Sequence, residues 1–237
     1  MPIGTDRASL DRLDRLDMMF TPPKMPIPVA VPKKLSMVST NALFYDGTGH
    51  INPIFPETVY AMQRPLWTNA ERVELFPSKL LRGRRLLYRG IANRDIFRTS
   101  LVAGMIPYWS GAGNEFGPGL YHTFDLRVAK GYTGPGGVIL AIDWSDEGGA
   151  LTKKYLSGEK WKEQVKAWGC IQTTYAGSTV APEYWPEDFI CGKVASNHCG
   201  LMKCQGPIPS TEEQVVARSH DACLHMAKKL VGVIYIQ

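Results

Sequence analysis

The stretch Phe116-Gly117-Pro118-Gly119-Leu120-Tyr121-His122-Thr123, followed by Ala129 and Tyr132, decides the fold of this chain. Glycine has no β-carbon, so Gly117 and Gly119 predict a tight turn and a close approach of backbone to a ligand. Tyr121 then begins a short strand. From Asp125 to Tyr132, Leu126, Ala129 and Lys130 fall at i, i+3 and i+4, the spacing of one or two helical turns. Upstream, Leu86-Leu87-Tyr88-Arg89-Gly90 reads as a buried strand ending in an arginine and a glycine. An arginine at a strand end, paired with a Gly-x-Gly-x-Tyr turn, suits a pocket that grips a phosphorylated cofactor and stacks on its ring.

Working outward, the same alternation recurs. Gly137 to Trp144 predicts a buried strand through Val138-Ile139-Leu140-Ala141-Ile142, and Asp188 to Asn197 another. Val215-Val216-Ala217 and Val231 to Ile236 predict two more, with a helix from Ser219 to Leu230 between them and Ser219 as its N-cap. Asn93 to Ala103 predicts a helix with Ile96, Phe97, Leu101 and Val102 inward, and Gly158 to Trp168 an exposed helix rich in Lys and Glu. Residues 36–80 read as helical, above all Glu57 to Glu74, where Val59, Met62, Leu66 and Val73 share one broad face. Strands and helices partly segregate, which predicts an α+β class. Residues 1–35 mix charge with prolines and read as a flexible leader, 36–83 as a helical N-terminal part, and 84–237 as the core.

The 237 residues bury a substantial core, and 44% hydrophobic with 21% charged content is ordinary for a soluble protein. No apolar run approaches the roughly 20 residues of a membrane helix, and no Sec-type signal is expected. The formal charge of +5 suits a polyanionic ligand or an acidic partner without requiring nucleic acid. Five scattered cysteines predict free thiols in a reducing compartment rather than a disulfide framework. Cys191, His198, Cys199 and Cys204 lack the paired Cys-x-x-Cys spacing of a zinc site, so no metal is expected. The glycines from Gly131 to Gly137 lack the Lys-Ser/Thr of a phosphate-binding P-loop and predict a turn.

The pair of segments around Arg89 and Tyr121 resembles the ADP-ribosyltransferase superfamily, which splits NAD at its nicotinamide bond. The run Asp188 to Asn197 resembles a strand of a microbial branch of it, and the likeness covers roughly residues 84–237. The resemblance implies a split β-sheet core with flanking helices. It implies NAD as substrate, with Arg89, Gly90, Phe116, Gly117, Gly119 and Tyr121 around it. The superfamily places a glutamate at the start of a late strand, here within Thr211-Glu212-Glu213-Gln214. One register puts Gln214 there and a shift of one puts Glu213; alternating strand faces forbid both pointing into one pocket. Glu213 is the expected charge-stabilising group, with Gln214 as ligand contact in the other register; the alternative is that Glu212 and Glu213 are both solvated loop charges.

Loss of nicotinamide develops oxocarbenium character, so such a site must hold pyrophosphate, fix a ring and stabilise charge. Arg89 fits the first task, because a guanidinium matches phosphate oxygens in a fork. Tyr121 is the expected ring platform and His122, on the opposite strand face, a structural residue. Asp188 and Asn197 bracket a strand that reaches toward the same cleft. The implied activity is mono-ADP-ribosyl transfer to a protein side chain. The loops 106–115 and 145–155, with Tyr108 and Trp109, are the expected surfaces for an acceptor such as ubiquitin or a GTPase. A secreted microbial effector fits the polar leader. An NAD glycohydrolase and a noncatalytic ADP-ribose-binding module of the same fold are the alternatives.

Overall fold

A computed structural model describes residues 33–43, 50–64, 83–92, 97, 100–101, 104–105, 114–170 and 186–237. The proline-rich leader before residue 33, residues 65–82, and Tyr108 and Trp109 lie outside this set. Nine strands form one sheet: β1 (Ser36–Ser39), β2 (Thr58–Arg64), β3 (Leu86–Ile91), β4 (Leu120–Thr123), β5 (Val138–Asp143), β6 (Lys153–Leu156), β7 (Phe189–Ala195), β8 (Pro209–Ala217) and β9 (Leu230–Ile236). Their order across the sheet is β1-β2-β9-β5-β3-β4-β8-β7-β6. All neighbours run antiparallel except β2 with β9 and β6 with β7. Among the described residues they are accompanied by the α-helices α1 (Leu126–Gly131), α2 (Gly158–Gly169), α3 (His198–Met202) and α4 (His220–Lys228), besides the helical positions Phe97, Ser100 and Leu101. The class is α+β.

The strands expected from alternating apolar runs all form, because each buries a face on both sides of the sheet. On one side Leu87, Leu140, Ile142, Val215 and Val233 pack with Ala222, Cys223 and Met226 of α4. On the other, Ile190 and Val216 pack under Trp161 and Val165 of α2 and Leu201 of α3. Thus α2 is only half exposed: its Lys and Glu residues face water while Trp161 donates from Nε1 to the carbonyl of Lys193 at 2.7 Å. The N-cap of α4 forms as expected, with Ser219 Oγ accepting from the Ala222 amide at 3.0 Å.

The helix expected from Glu57 is a correction. Thr58–Arg64 is strand β2, parallel to the C-terminal strand β9 from Tyr60–Gly232 to Arg64–Ile236. Val59 and Met62 satisfy a helical spacing, yet Ala61 is just as buried, and pairing with a completed sheet overrides the weak local pattern. Ser36–Ser39 is likewise a strand, paired with β2. Phe97 and Leu101 are helical and buried, in agreement with the helix expected there. The cysteine expectation is also corrected: Cys170, at the end of α2, is disulfide-bonded to Cys204 beyond α3. Cys191 and Cys223 are buried free thiols, whereas Cys199 is exposed. Among the described residues no helix is long and apolar enough to cross a membrane.

One irregularity in the sheet positions everything that follows. Strand β3 pairs with β5 along its whole length, from Leu86–Asp143 to Ile91–Val138. With β4 it shares a single partnered position, Tyr88–Thr123. The sheet therefore divides at this seam into a half made of β1-β2-β9-β5-β3 and a half made of β4-β8-β7-β6.

Candidate functional site

A cavity of about 270 Å³ opens at the seam, lined by Arg89, Gly90, Glu115, Gly119, Tyr121, His122, Thr123, Tyr132 and Gln214 among others. Arg89 comes from β3, beyond its last partner on β4. Its Nη1 donates to the Tyr121 carbonyl at 2.9 Å, so the guanidinium reaches across the divide. Tyr121, His122 and Thr123 come from β4, paired with Val216, Val215 and Gln214 of β8. Opposed residues share a face, so Tyr121, Thr123 and Gln214 line up on one side of the sheet.

That register puts the two candidates left by the sequence on opposite faces of β8. Gln214 is buried in the cavity with Arg89 and Tyr121. Glu213 lies on the opposite face and lines a different cavity of about 440 Å³, with Arg85, Trp144, Tyr155, Cys191 and Lys193, a cavity that Gln214 also borders. Glu212 is bound by its backbone amide to Ser210 Oγ and lines neither cavity. Asp188 and Asn197 are structural: Asp188 accepts from Thr152 and Ser219, and Asn197 bonds Gly206 and Ile208.

Tyr121 serves the turn before it. Its hydroxyl accepts from the Phe116 amide at 2.9 Å and donates to the Gly117 carbonyl at 2.7 Å, closing the loop 116–121 on itself. Its ring packs against the cluster that contains Phe116, Trp161 and Val216. Burial pushes the phenol far above its ordinary range, so it stays protonated.

The three glycines are occupied by the protein itself. A β-carbon on Gly90 would stand 2.0 Å from the Ala129 carbonyl oxygen of α1. One on Gly119 would meet Val216 Cγ1 at 2.5 Å, and Gly117, at φ +82°, would meet Trp168 at 2.7 Å. Close approach is real at each, but it seats α1, β8 and Trp168, while Gly90 and Gly119 still border the cavity.

Two residues gain a place in the site that the sequence did not give them. Glu115, expected on a surface loop, is 4% exposed. Its carboxylate accepts from the Ala195 amide at 3.0 Å and from Gln214 Nε2 at 2.9 Å. Burial raises its pKa to about 7, although both hydrogen bonds pull the other way. Tyr132, just past α1, is 67% exposed and borders the same cavity. Desolvation raises its phenol pKa, and so does the charge of Glu115. His122 is 2% exposed; burial and the nearby Arg89 hold its pKa down at about 3, so the imidazole is neutral.

The assembled site is thus a cation at a strand edge, an accessible tyrosine ring, a neutral imidazole, an amide and a carboxyl poised near neutrality. Such a set has the chemistry to hold an anion, to pack on a planar ring and to move a proton. A scan against protein-family models finds no match, and no curated protein matches the sequence.

Proposed function

We propose that this chain is a mono-ADP-ribosyltransferase that cleaves NAD at the nicotinamide–ribose bond and passes ADP-ribose to a protein side chain. The single observation that carries the reading is the seam cavity, where the sheet's division brings Arg89, Tyr121 and Gln214 to one place. Arg89 and Tyr121 come from the pair of segments whose sequence resembles the ADP-ribosyltransferase superfamily, and Gln214 from the late strand on which the superfamily places its third residue. A split sheet of that superfamily's kind accounts for the lone Tyr88–Thr123 partner between β3 and β4.

In this reading Arg89 forks onto the pyrophosphate or ribose oxygens, and its contact with the Tyr121 carbonyl fixes its direction. Tyr121 shapes the loop, and the accessible ring of Tyr132 offers the face on which nicotinamide packs. Gln214 supplies a neutral amide to the ribose. A cavity of about 270 Å³ accommodates the nicotinamide–ribose end, leaving the adenosine outside it. The Cys170–Cys204 disulfide favours a chain that folds in an oxidising compartment, which suits an exported effector and replaces the reducing-compartment expectation. A host regulator such as ubiquitin or a GTPase remains the proposed acceptor.

The test is incubation of the purified chain with labelled NAD, with and without a cell lysate. Label on a lysate protein is the expected result. Free labelled ADP-ribose in both arms assigns a glycohydrolase instead, and intact NAD refutes catalysis.

A further inference from the structure

Glu115 sits where a reacting group can use it. It belongs to the turn before β4, and its side chain is fastened to the two next strands of the same half of the sheet, to β7 through Ala195 and to β8 through Gln214. Both short bonds fall on one oxygen, Oε2. Oε1 has only the shared, longer contact to the Ala195 amide at 3.2 Å, so its acceptor capacity is largely unused. The carboxyl is 4% exposed and borders the same cavity as Arg89 and Tyr132. A buried carboxylate bound by a lone amide N–H and a neutral side-chain amide is under-compensated for its charge and has a strong affinity for a proton.

We propose that Glu115 is the general base of the cavity, taking the proton of the acceptor group as that group bonds to the ribose. The proposal rests on the ADP-ribosyl-transfer reading above. The bond from the anomeric carbon to the nicotinamide nitrogen breaks, and its electron pair stays on the ring, discharging the pyridinium. A lone pair of the acceptor's hydroxyl, thiol or amine forms the new bond to the same carbon. The acceptor's proton passes to Glu115 Oε1 and then to water, so each turnover releases one nicotinamide and one proton. A base whose pKa lies near 7 is matched to proton transfer at neutral pH.

The ionisable groups around Glu115 are Arg89 from β3, Tyr121 and His122 from β4, and Tyr132 after α1, with Arg218 after β8 acting on Tyr121. Strands β7 and β8 line the cavity with Val194 and Gln214, neither of which titrates. Of these groups, the tyrosines have raised pKa values and His122 is held at about 3, which leaves Glu115 as the group to titrate near neutrality.

The experiment compares the full-length chain with Glu115→Gln by nicotinamide release from NAD, with lysate as acceptor source, between about pH 5.5 and 9. The wild-type kcat/KM is expected to rise with pH and level off above a midpoint near 7. Glu115→Gln is expected to fall by roughly 10²- to 10⁴-fold at the plateau and to lose the rising limb, while NAD affinity stays within a few-fold. A variant that keeps the limb, or stays within about threefold of wild-type activity, overturns the proposal and leaves ADP-ribosyl transfer standing. A wild-type chain that releases no nicotinamide overturns both. Carboxyl NMR of Glu115 in the wild-type chain gives a readout that needs no variant to fold: a midpoint near 7 is expected, and one below about 5 overturns the role.

Discussion

The guanidinium of Arg89 donates to the backbone carbonyl of Tyr121 at 2.9 Å, and this bond crosses the one place where the nine-stranded sheet is barely joined. The residue proposed to hold the anionic ligand is therefore also a fastener between the two halves. Its two jobs have separable readouts.

Arg89→Ala is expected to weaken NAD binding by about 1.5–3 kcal/mol, the worth of a charge-assisted hydrogen bond. Thermal unfolding should show an accompanying loss of stability, because the cross-seam bond goes as well. Calorimetry that finds undiminished NAD affinity in a folded Arg89→Ala chain removes Arg89 from the site.

The two tyrosines should behave in opposite ways. Tyr121→Phe leaves the Phe116 amide and Gly117 carbonyl without the hydroxyl, and the expected cost in stability is about 1–3 kcal/mol. Tyr132→Ala, at an exposed position, should change stability by less than about 0.5 kcal/mol. It should weaken NAD binding by about 0.5–1.5 kcal/mol through the lost ring contact. Denaturant melts paired with NAD titrations decide the matter, and equal NAD affinity in Tyr132→Ala means the ring packs elsewhere.

Glu213 and Gln214 are adjacent in sequence and on opposite faces of β8; Glu213 lines the 440 Å³ cavity and not the seam cavity, whereas Gln214 borders both. Glu213→Gln should leave nicotinamide release within about threefold of wild type. Gln214→Ala should cost tenfold or more, since it strips Glu115 of one of its donors and the cavity of its amide. If steady-state rates put the large loss at Glu213, the reacting ribose lies in the 440 Å³ cavity and not at the seam.

How stability depends on pH follows from two buried groups that work against each other. Glu115, raised from 4.5 to about 7, holds more protons folded than unfolded, so its contribution is full below 4.5 and is lost as the pH rises through 7. His122, lowered from 6.5 to about 3, holds fewer, so its contribution is full above 6.5 and is lost as the pH falls toward 3. Between 4.5 and 6.5 the two slopes oppose, and wild-type stability should be nearly flat. Asp125, Asp146 and Asp188, held below the usual carboxylate range, add their losses at still lower pH. Glu115→Gln should unmask His122 and lose on the order of 1.4 kcal/mol per pH unit from 6.5 down to 4.5. Urea unfolding across that window checks it, and parallel curves for the two chains would contradict the opposition.

Strands β3, β5, β7 and β9 are legible because each carries its own apolar run, α1 because Leu126, Ala129 and Lys130 keep a helical spacing, and α4 because Ser219 caps it with its own side chain. Strand β2 is not, since it is completed by β9 at the other end of the chain, and no local pattern announces a parallel partner. Strand β6, Lys153-Lys154-Tyr155-Leu156, is a short polar edge strand that reads as loop. The site divides along the same line. Arg89 and Tyr121 stand on strands flanked by recognisable glycines, whereas Glu115 becomes a buried carboxyl only through partners 80 and 99 residues away. The Cys170–Cys204 bond, separated by 34 residues, likewise has no spacing signature.

The lone Tyr88–Thr123 partner gives the molecule a mechanical character. The two halves of the sheet share that one backbone partner and the Arg89 bond at the seam, and the rest of their join is side-chain packing through the core that Leu87, Leu120 and Val215 share. A molecule that grips both halves acts as a clasp, and its binding energy is spent partly on immobilising them. Affinity and rigidity are then one quantity seen from two sides, and hydrogen exchange along β3 and β4 becomes a gauge of occupancy.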